Sequence, residues 1–200
     1  MTQPAQFVPL PVEFYEPSAR TVAPRLLGHW LVRREGDEVL GGVIVETEAY
    51  LSKDAACHAA RGLTARNRVM FGPPGRAYVY FIYGCHFCVN AVCCAEGVAE
   101  AVLIRAIAPV WGIPQMQQLR ASPEDRLCNG PGKLCQALGI GREHNGLDLR
   151  SSPLIIAGNP LWRAYRKLYG PVRASTRIGI SRAQEFPLRF FLSGSSSVSR

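Results

Sequence analysis

Val43-Ile44-Val45-Glu46-Thr47-Glu48-Ala49-Tyr50 alternates apolar and polar positions with a period of two, the pattern of a half-buried β-strand. One face would carry Val43, Val45, Thr47 and Ala49, the other Ile44, Glu46, Glu48 and Tyr50. A rise of about 3.3 Å per residue sets the two carboxylates roughly 6–7 Å apart on that second face. Such a face is either a solvated edge bearing two ordinary acids or the floor of a site. The flanking sequence has to separate the two.

Upstream, Trp30-Leu31-Val32-Arg33 reads as the partner strand, joined through a turn at Glu35-Gly36-Asp37. Before it, Thr21 would cap a short helix, with Pro24 in its first turn and Gly28 ending it. Residues 1–20 form an N-terminal arm, and Pro4, Pro9, Pro11 and Pro17 mark it as a segment running over the surface. Downstream, no acidic residue occurs from Ala55 to Ala95, yet Arg61, Arg66, Arg68 and Arg76 do. A loop that excludes carboxylates and keeps arginines suits a phosphate backbone, or is simply a solvated basic loop. After the Gly72-Pro73-Pro74-Gly75 break, Tyr78 to Tyr83 runs as a strand into Gly84, and His86 to Val92 returns. Tyr83 stands next to the turn, where an aromatic either meets a partner or folds back on its hairpin.

Ala101 to Ala108 is a further apolar strand, interrupted by Arg105, which needs a carboxylate or phosphate partner if buried. Pro114 opens a helix through Arg120, and residues 121–127 read as a polar loop. Cys128-Asn129-Gly130-Pro131-Gly132-Lys133 leads into a short helix from Leu134 to Leu138, whose free N–H groups together with Lys133 could hold a phosphate. It is not a Walker loop, since Leu127 and Leu134 stand where Gly and Ser or Thr belong. Residues 140–175 read as loop-rich with a basic run at Arg163, Arg166 and Lys167. Arg177 to Ile180 and Leu188 to Leu192 read as late strands, and residues 194–200 as a serine-rich tail.

Two hundred residues suit one domain, here residues 21–193, and a net charge of +8 with a pI near 9.4 favours a polyanionic partner. Seven unevenly spaced cysteines and no secretory leader argue for a reducing, intracellular compartment. The apolar run Ala77 to Cys94 carries Gly84, His86 and Asn90 and is rich in β-formers, so it reads as a buried hairpin and no membrane partner is expected. Cys85 and Cys88 have CxxC spacing, but residues three apart on a strand point to opposite faces, and no metal site is expected. No Gly-x-Ser-x-Gly elbow and no HExxH occurs. Of four histidines, only His58 lies within loop reach of the Glu48 strand.

Glu48, Tyr50, His58, Tyr80, a projecting aromatic and basic loops thus form one constellation. A carboxylate can activate water, aromatics can sandwich a base, and arginines can hold phosphates. A base inside a duplex is reachable only if extruded, and a side chain at a hairpin tip can fill the gap.

Val45–Tyr50, Arg66–Phe71, Tyr78–Gly84 and Asn129–Leu138, in that order and spacing, closely resemble the alkyladenine (3-methyladenine) DNA glycosylase family. Leu26-Leu27-Gly28 and Pro187-Leu188-Arg189-Phe190 extend the resemblance over most of residues 20–192. It implies a single-domain mixed α/β (α+β) fold around a curved antiparallel β-sheet, with flanking helices and a protruding hairpin that inserts into DNA. It implies Glu48 as the general base and Tyr50, His58 and Tyr80 as the lining of the base pocket, with the Ala56 and His58 backbone reading the base edge. Asn90 would screen exocyclic groups, Leu103 would stand in the same pocket, and Arg105 would support it. Tyr83 would be the wedge, and Thr64, Met70 and Lys133 would lie near DNA. Cys85 and His86 flank the wedge and count with the DNA contacts, although family members often carry a bulkier residue there. Glu46 is assigned to structure, paired with an arginine.

The implied activity is monofunctional removal of alkylated or deaminated purines, such as 3-methyladenine, 7-methylguanine, hypoxanthine and ethenoadenine, from double-stranded DNA by a monomer without cofactors. A DNA-distorting module lacking turnover and an RNA-directed hydrolase stay open as alternatives.

Overall fold

The computed structural model describes residues 6–151 and 153–199. Strand β1 (Trp30–Glu35) and strand β2 (Glu38–Tyr50) form the expected hairpin, in register from Trp30 opposite Val43 to Glu35 opposite Glu38. Strand β2 is longer than its alternating core, and every residue from Leu40 to Ala49 is buried. The half-buried expectation is therefore corrected: both faces of β2 are covered. One face meets helix α1 (Ala19–Leu26), where the Thr47 hydroxyl donates to the Ala23 carbonyl at 2.9 Å. The other faces polar groups brought by neighbouring strands.

The second expected hairpin is present as β3 (Ala77–Ile82) and β4 (His86–Cys93). Strand β5 (Glu100–Trp111) pairs with both β4 and β2, giving a sheet ordered β3-β4-β5-β2-β1, extended by β6 (Leu154–Ala157) beyond β1. Past its pairing with β1, β2 takes a different neighbour: residues Glu46, Thr47 and Glu48 pair with β8 (Arg189–Leu192), which in turn pairs with β7 (Val172–Ser175). All pairings are antiparallel. The sheet thus forks at β2, and the fork falls at the two glutamates.

Backbones approach closely where β2 passes between β1 and β5. A Cβ on Gly41 would lie 2.5 Å from the Leu31 carbonyl oxygen, and one on Gly42 would lie 2.1 Å from that of Ala108. Helices pack on the outside: α2 (Ile113–Leu119), α3 (Glu124–Leu127), α4 (Pro131–Ala137) and α5 (Trp162–Leu168). Among the described residues, no helix is long and apolar enough to cross a membrane.

Several sequence readings move. Helix α1 starts at Ala19, capped by Ser18, and not at Thr21, because the Glu100 carboxylate accepts from both the Ser18 hydroxyl (2.8 Å) and the Ala19 N–H (2.9 Å). Pro24 therefore lies in the second half of the helix, outside the first turn. Residues 121–127 contain α3, and α4 begins three residues earlier than expected, with Pro131 supplying a preset first turn. The 140–175 stretch is more regular than its composition suggested, holding β6, α5 and β7. Arg177–Ile180 is no strand, since Gly179 sits at φ +76° and the segment pairs with no strand. The arm is more than a surface segment: Phe7, Leu10, Phe14 and Tyr15 are buried, Phe7 edge-on to Trp30 and Trp111. Its first five residues lie outside the described ones, as do Ser152 and Arg200. Ser195, Ser197 and Ser199 of the serine-rich segment are buried as well.

Because backbone oxygens leave no room at position 42, Gly42→Ala should destabilise the fold by about 3 kcal/mol. Urea unfolding at neutral pH reads this directly, and a loss below about 0.5 kcal/mol would show that the strands can separate cheaply.

Candidate active site

Sheet register assembles the site. Tyr78 on β3 stands opposite Asn90 on β4, Asn90 opposite Leu103 on β5, Leu103 opposite Glu48 on β2, and Glu48 opposite Arg189 on β8. Residues opposite one another across a sheet share a face. Five segments distant in sequence therefore contribute to one row. Two residues along each of β3 and β4, Tyr80 stands opposite Cys88 and begins a second row. Arg105 belongs beside it. The β2–β5 register slips on both sides of Glu46, leaving Val45 and Arg105 without an opposite residue. Such bulges re-aim side chains next to functional sites. Here the guanidinium reaches both carboxylates, with Nε 3.2 Å from Glu46 Oε1 and Nη1 3.3 Å from Glu48 Oε1.

The two glutamates, both fully buried, are treated differently. Glu46 also accepts from Arg189 Nε (2.5 Å), the Ser199 N–H (2.7 Å) and the Ser199 hydroxyl (2.8 Å). Glu48 Oε1 accepts from the Ile178 N–H at 2.8 Å, and Oε2 accepts from the Tyr50 hydroxyl at 2.9 Å. Its Oε2 thus keeps one lone pair for a further donor such as water.

Above this floor lies a cavity of about 660 Å³, within the range of small-molecule sites. Tyr50, Ala56, His58, Met70, Tyr80, Tyr83, His86, Asn90, Leu103, Arg105 and Lys133 all border it. Glu48 lies behind Tyr50 and Arg105 and does not border it; Thr64 and Cys85 are exposed and do not border it either, Cys85 lying in the same turn as Tyr83. The loop after β2 is fixed by buried Asn67, whose Nδ2 donates to the carbonyls of His58 and Gly62, both at 2.9 Å. Its Oδ1 accepts from the Thr64 N–H at 2.7 Å. The Asp54 carboxylate accepts from the Ala56 N–H at 2.9 Å and so orients that backbone.

Three rings stand together: His58 and Tyr80 with centroids 4.4 Å apart, and Tyr78 and Tyr80 at 5.3 Å. His58 Nδ1 is 2.9 Å from the Tyr78 hydroxyl, and the ring borders the cavity. Asn90 is held by its Nδ2 donating to the Tyr78 carbonyl at 2.9 Å. Met70, expected near DNA, is buried in a small cluster with Cys57, Ala59 and Tyr78. Lys133 Nζ reaches Asn129 Oδ1 at 2.8 Å, and His86 packs over Gly132, where a Cβ would meet its ring at 2.9 Å.

Tyr83 is 76% exposed. It and Gly84 are the central residues of the β3–β4 turn, at φ +54° and +69°, the signs of a type I′ turn. A tyrosine in that region costs about 1–2 kcal/mol against glycine or asparagine. The hairpin therefore bears both strain and an uncovered ring at one residue.

The Gly130–Gly132 turn, singled out with Lys133 in the sequence as a candidate phosphate holder, borders the cavity; Ile82, Cys88 and the Ile178–Arg182 segment border it without having been singled out. The sequence reading also missed Arg177, buried on Asp54 with its guanidinium carbon 4.7 Å above the Tyr50 ring. One signal existed: Asp54 is the last acid before the acid-free run, set among residues that otherwise read as loop.

Burial raises the pKa of Glu48 above the ordinary carboxylate value, and Arg105, the Ile178 N–H and the Tyr50 hydroxyl offset this only partly. His58, open on its cavity side and packed on the other, is lowered by desolvation and then by Arg66, so it is neutral at neutral pH. Burial pushes the Tyr78 hydroxyl up to about 12 and the Cys88 thiol up to about 11, keeping both protonated.

A raised folded-state value means that Glu48 favours folding fully only below its unfolded value of 4.5, and that this contribution is lost as pH rises through the folded value. Glu48→Gln cannot titrate. Its urea midpoint relative to wild type should therefore climb from acid to neutral pH, and a flat difference would contradict the raised value.

The family model for methylpurine-DNA glycosylase (MPG) matches residues 13–196. A protein of Methanoculleus marisnigri named "Putative 3-methyladenine DNA glycosylase" is 50% identical over 194 residues, 96% of this chain and 98% of that one. Proteins of the same name from Rhodopseudomonas palustris (50% over 193 residues; 96% and 90%) and Carboxydothermus hydrogenoformans (47% over 194 residues; 96% and 98%) are similarly close.

Proposed function

The chain belongs to the methylpurine-DNA glycosylase family, and from that premise we propose that it turns damaged purines out of duplex DNA and hydrolyses their N-glycosidic bond, leaving an abasic site. The observation that carries this reading is the fully buried Glu48 carboxylate, bonded to Tyr50 and Arg105 where these two border an aromatic-walled cavity, beside a hairpin that exposes Tyr83.

The damaged base would enter the cavity between Tyr50 and the Tyr80–His58 pair. Electron-rich rings attract cationic purines such as 3-methyladenine and 7-methylguanine, which also leave readily because they depart neutral. Stretching of the C1′–N bond places the bonding pair on the base and positive charge on the sugar. The Glu48 carboxylate stabilises that charge and takes a proton from the water that attacks C1′. Asn90, fixed by Tyr78, would exclude normal purines through their exocyclic groups, and the Ala56 N–H is already committed to Asp54, so base reading there falls to the His58 side of the loop. Tyr83 would occupy the vacated stack. Arg61, Arg182 and Lys133 at the cavity border would hold phosphates. The family's motif places no lysine as a nucleophile, so hydrolysis proceeds by water, without a Schiff base and without strand scission.

Single-turnover release of ethenoadenine, hypoxanthine and methylated purines from duplex oligonucleotides tests this. Glu48→Gln should release base at least about a hundredfold more slowly while duplex binding persists. Failure of folded wild type to release any lesion it binds would leave only a DNA-distorting role. Separately, Tyr83→Ala should slow release from duplex by about tenfold and from single strands much less, since only the duplex needs a wedge. Equal losses on both substrates would remove the wedge assignment.

A further inference from the structure

Arg177 is 5% exposed and sits where three segments meet. Its Nη1 donates to the Ala49 carbonyl at 3.0 Å and to the Asp54 carboxylate. Its Nη2 donates to Asp54 Oδ1 at 3.1 Å and to the Ala183 carbonyl at 3.3 Å. One planar fork therefore ties the end of β2, the loop that carries Ala56 and His58, and the 177–183 segment. That segment lies between β7 and β8, and its residues pair with no strand. Ile178, Gly179 and Arg182 are exposed, and Ala183 adopts φ +50°. Nothing in its own backbone pattern explains why the Ile178 N–H should stand 2.8 Å from Glu48 Oε1. The neighbouring arginine does.

We infer that the Arg177–Asp54 pair is a positioning device that sets the Glu48 carboxylate for water activation, holding the Ile178 N–H on Oε1 and the Tyr50 ring against its own guanidinium. The inference rests on the proposed hydrolysis. With Oε1 taken by Ile178 and Arg105, Oε2 is the oxygen presented to water, and Tyr50, which bonds Oε2, is kept from swinging by the cation above it. A merely structural ion pair would stabilise the fold and leave the reactive oxygen unaffected.

The groups facing Glu48 are Arg105 from β5, Glu46 and Tyr50 from β2, Cys88 from β4, Arg189 from β8 and the Ile178 N–H. Two of them depend on Arg177: the Ile178 N–H through the adjoining peptide, and Tyr50 through the guanidinium above its ring. Arg177→Lys keeps the charge opposite Asp54 but cannot span Ala49, Asp54 and Ala183 together, and Asp54→Asn keeps the shape and removes the charge.

Single-turnover base release by both variants, wild type and Glu48→Gln is followed across pH, alongside duplex affinity and thermal unfolding. Both variants should release base about ten- to a hundredfold more slowly with affinity nearly unchanged. Their acid limb should move to higher pH, because a donor to the charged form is lost. In wild type, the Ile178 amide shift should titrate with that same limb. Wild-type rates and limbs in the two folded variants, a slower rate with an unmoved limb, or an Ile178 amide that ignores the limb would each overturn the inference. Equal release by wild type and Glu48→Gln would overturn the assignment of the base itself, whatever the clamp variants do.

Discussion

Two carboxylates lie fully buried side by side on one strand, and the rest of the structure answers the problem they pose. Burying a charge without a partner costs several kcal/mol. Arg105 bridges both, and Arg189 adds a second guanidinium on Glu46, so two acids meet two bases. The answer is unequal. Glu46 is surrounded by donors, including the backbone and hydroxyl of Ser199, and serves as a joint between β2, β5, β8 and the chain's last residues. Glu48 receives fewer, its guanidinium contact is long, and its charged form is disfavoured by burial. A carboxylate less tightly held by donors is a better proton acceptor. The same fork of the sheet that saturates one acid leaves the other available.

The strain at the hairpin tip fits this division. A turn built for glycine or asparagine carries a tyrosine at φ +54°, and the ring is left uncovered. Neither feature helps the isolated protein. Both are intelligible if the ring's partner is a nucleic acid base stack, adjacent to a cavity whose walls are themselves aromatic. The basic side chains at its border, and the absence of acids over residues 55–95, keep that face compatible with phosphates.

Much of this was legible because it was local. Alternation identified the Glu46–Glu48 face, the tyrosine-rich strand and its return were continuous, and the family's segments lay in order. What the sequence hid depended on long-range pairing. Burial of both faces of β2 depends on α1 on one side and, at Glu46 and Glu48 on the other, on Arg105, Arg189, Ser199 and Ile178, none of which marks residues 40–49. Ser18 displaced Thr21 as the helix cap because Glu100, 82 residues away, supplies the carboxylate. Arg177–Ile180 imitates a strand in composition, yet Gly179 at positive φ and the Arg177–Asp54 pair hold it in an unpaired course. Serines 195–199 have the composition of a solvated tail, but Glu46 needs donors and Ser199 supplies two.

Hydrolysis requires the target sugar to reach Glu48, which in the unbound protein lies behind Tyr50 and Arg105. The decisive measurement is a crystal structure of Glu48→Gln bound to a duplex carrying one ethenoadenine. The lesion ring should lie between Tyr50 and the Tyr80–His58 pair, its C1′ facing the side chain at position 48 through one water, with Tyr83 in the vacated stack. A lesion still stacked in the duplex, or one in the cavity with position 48 still shielded from C1′, would contradict this mechanism.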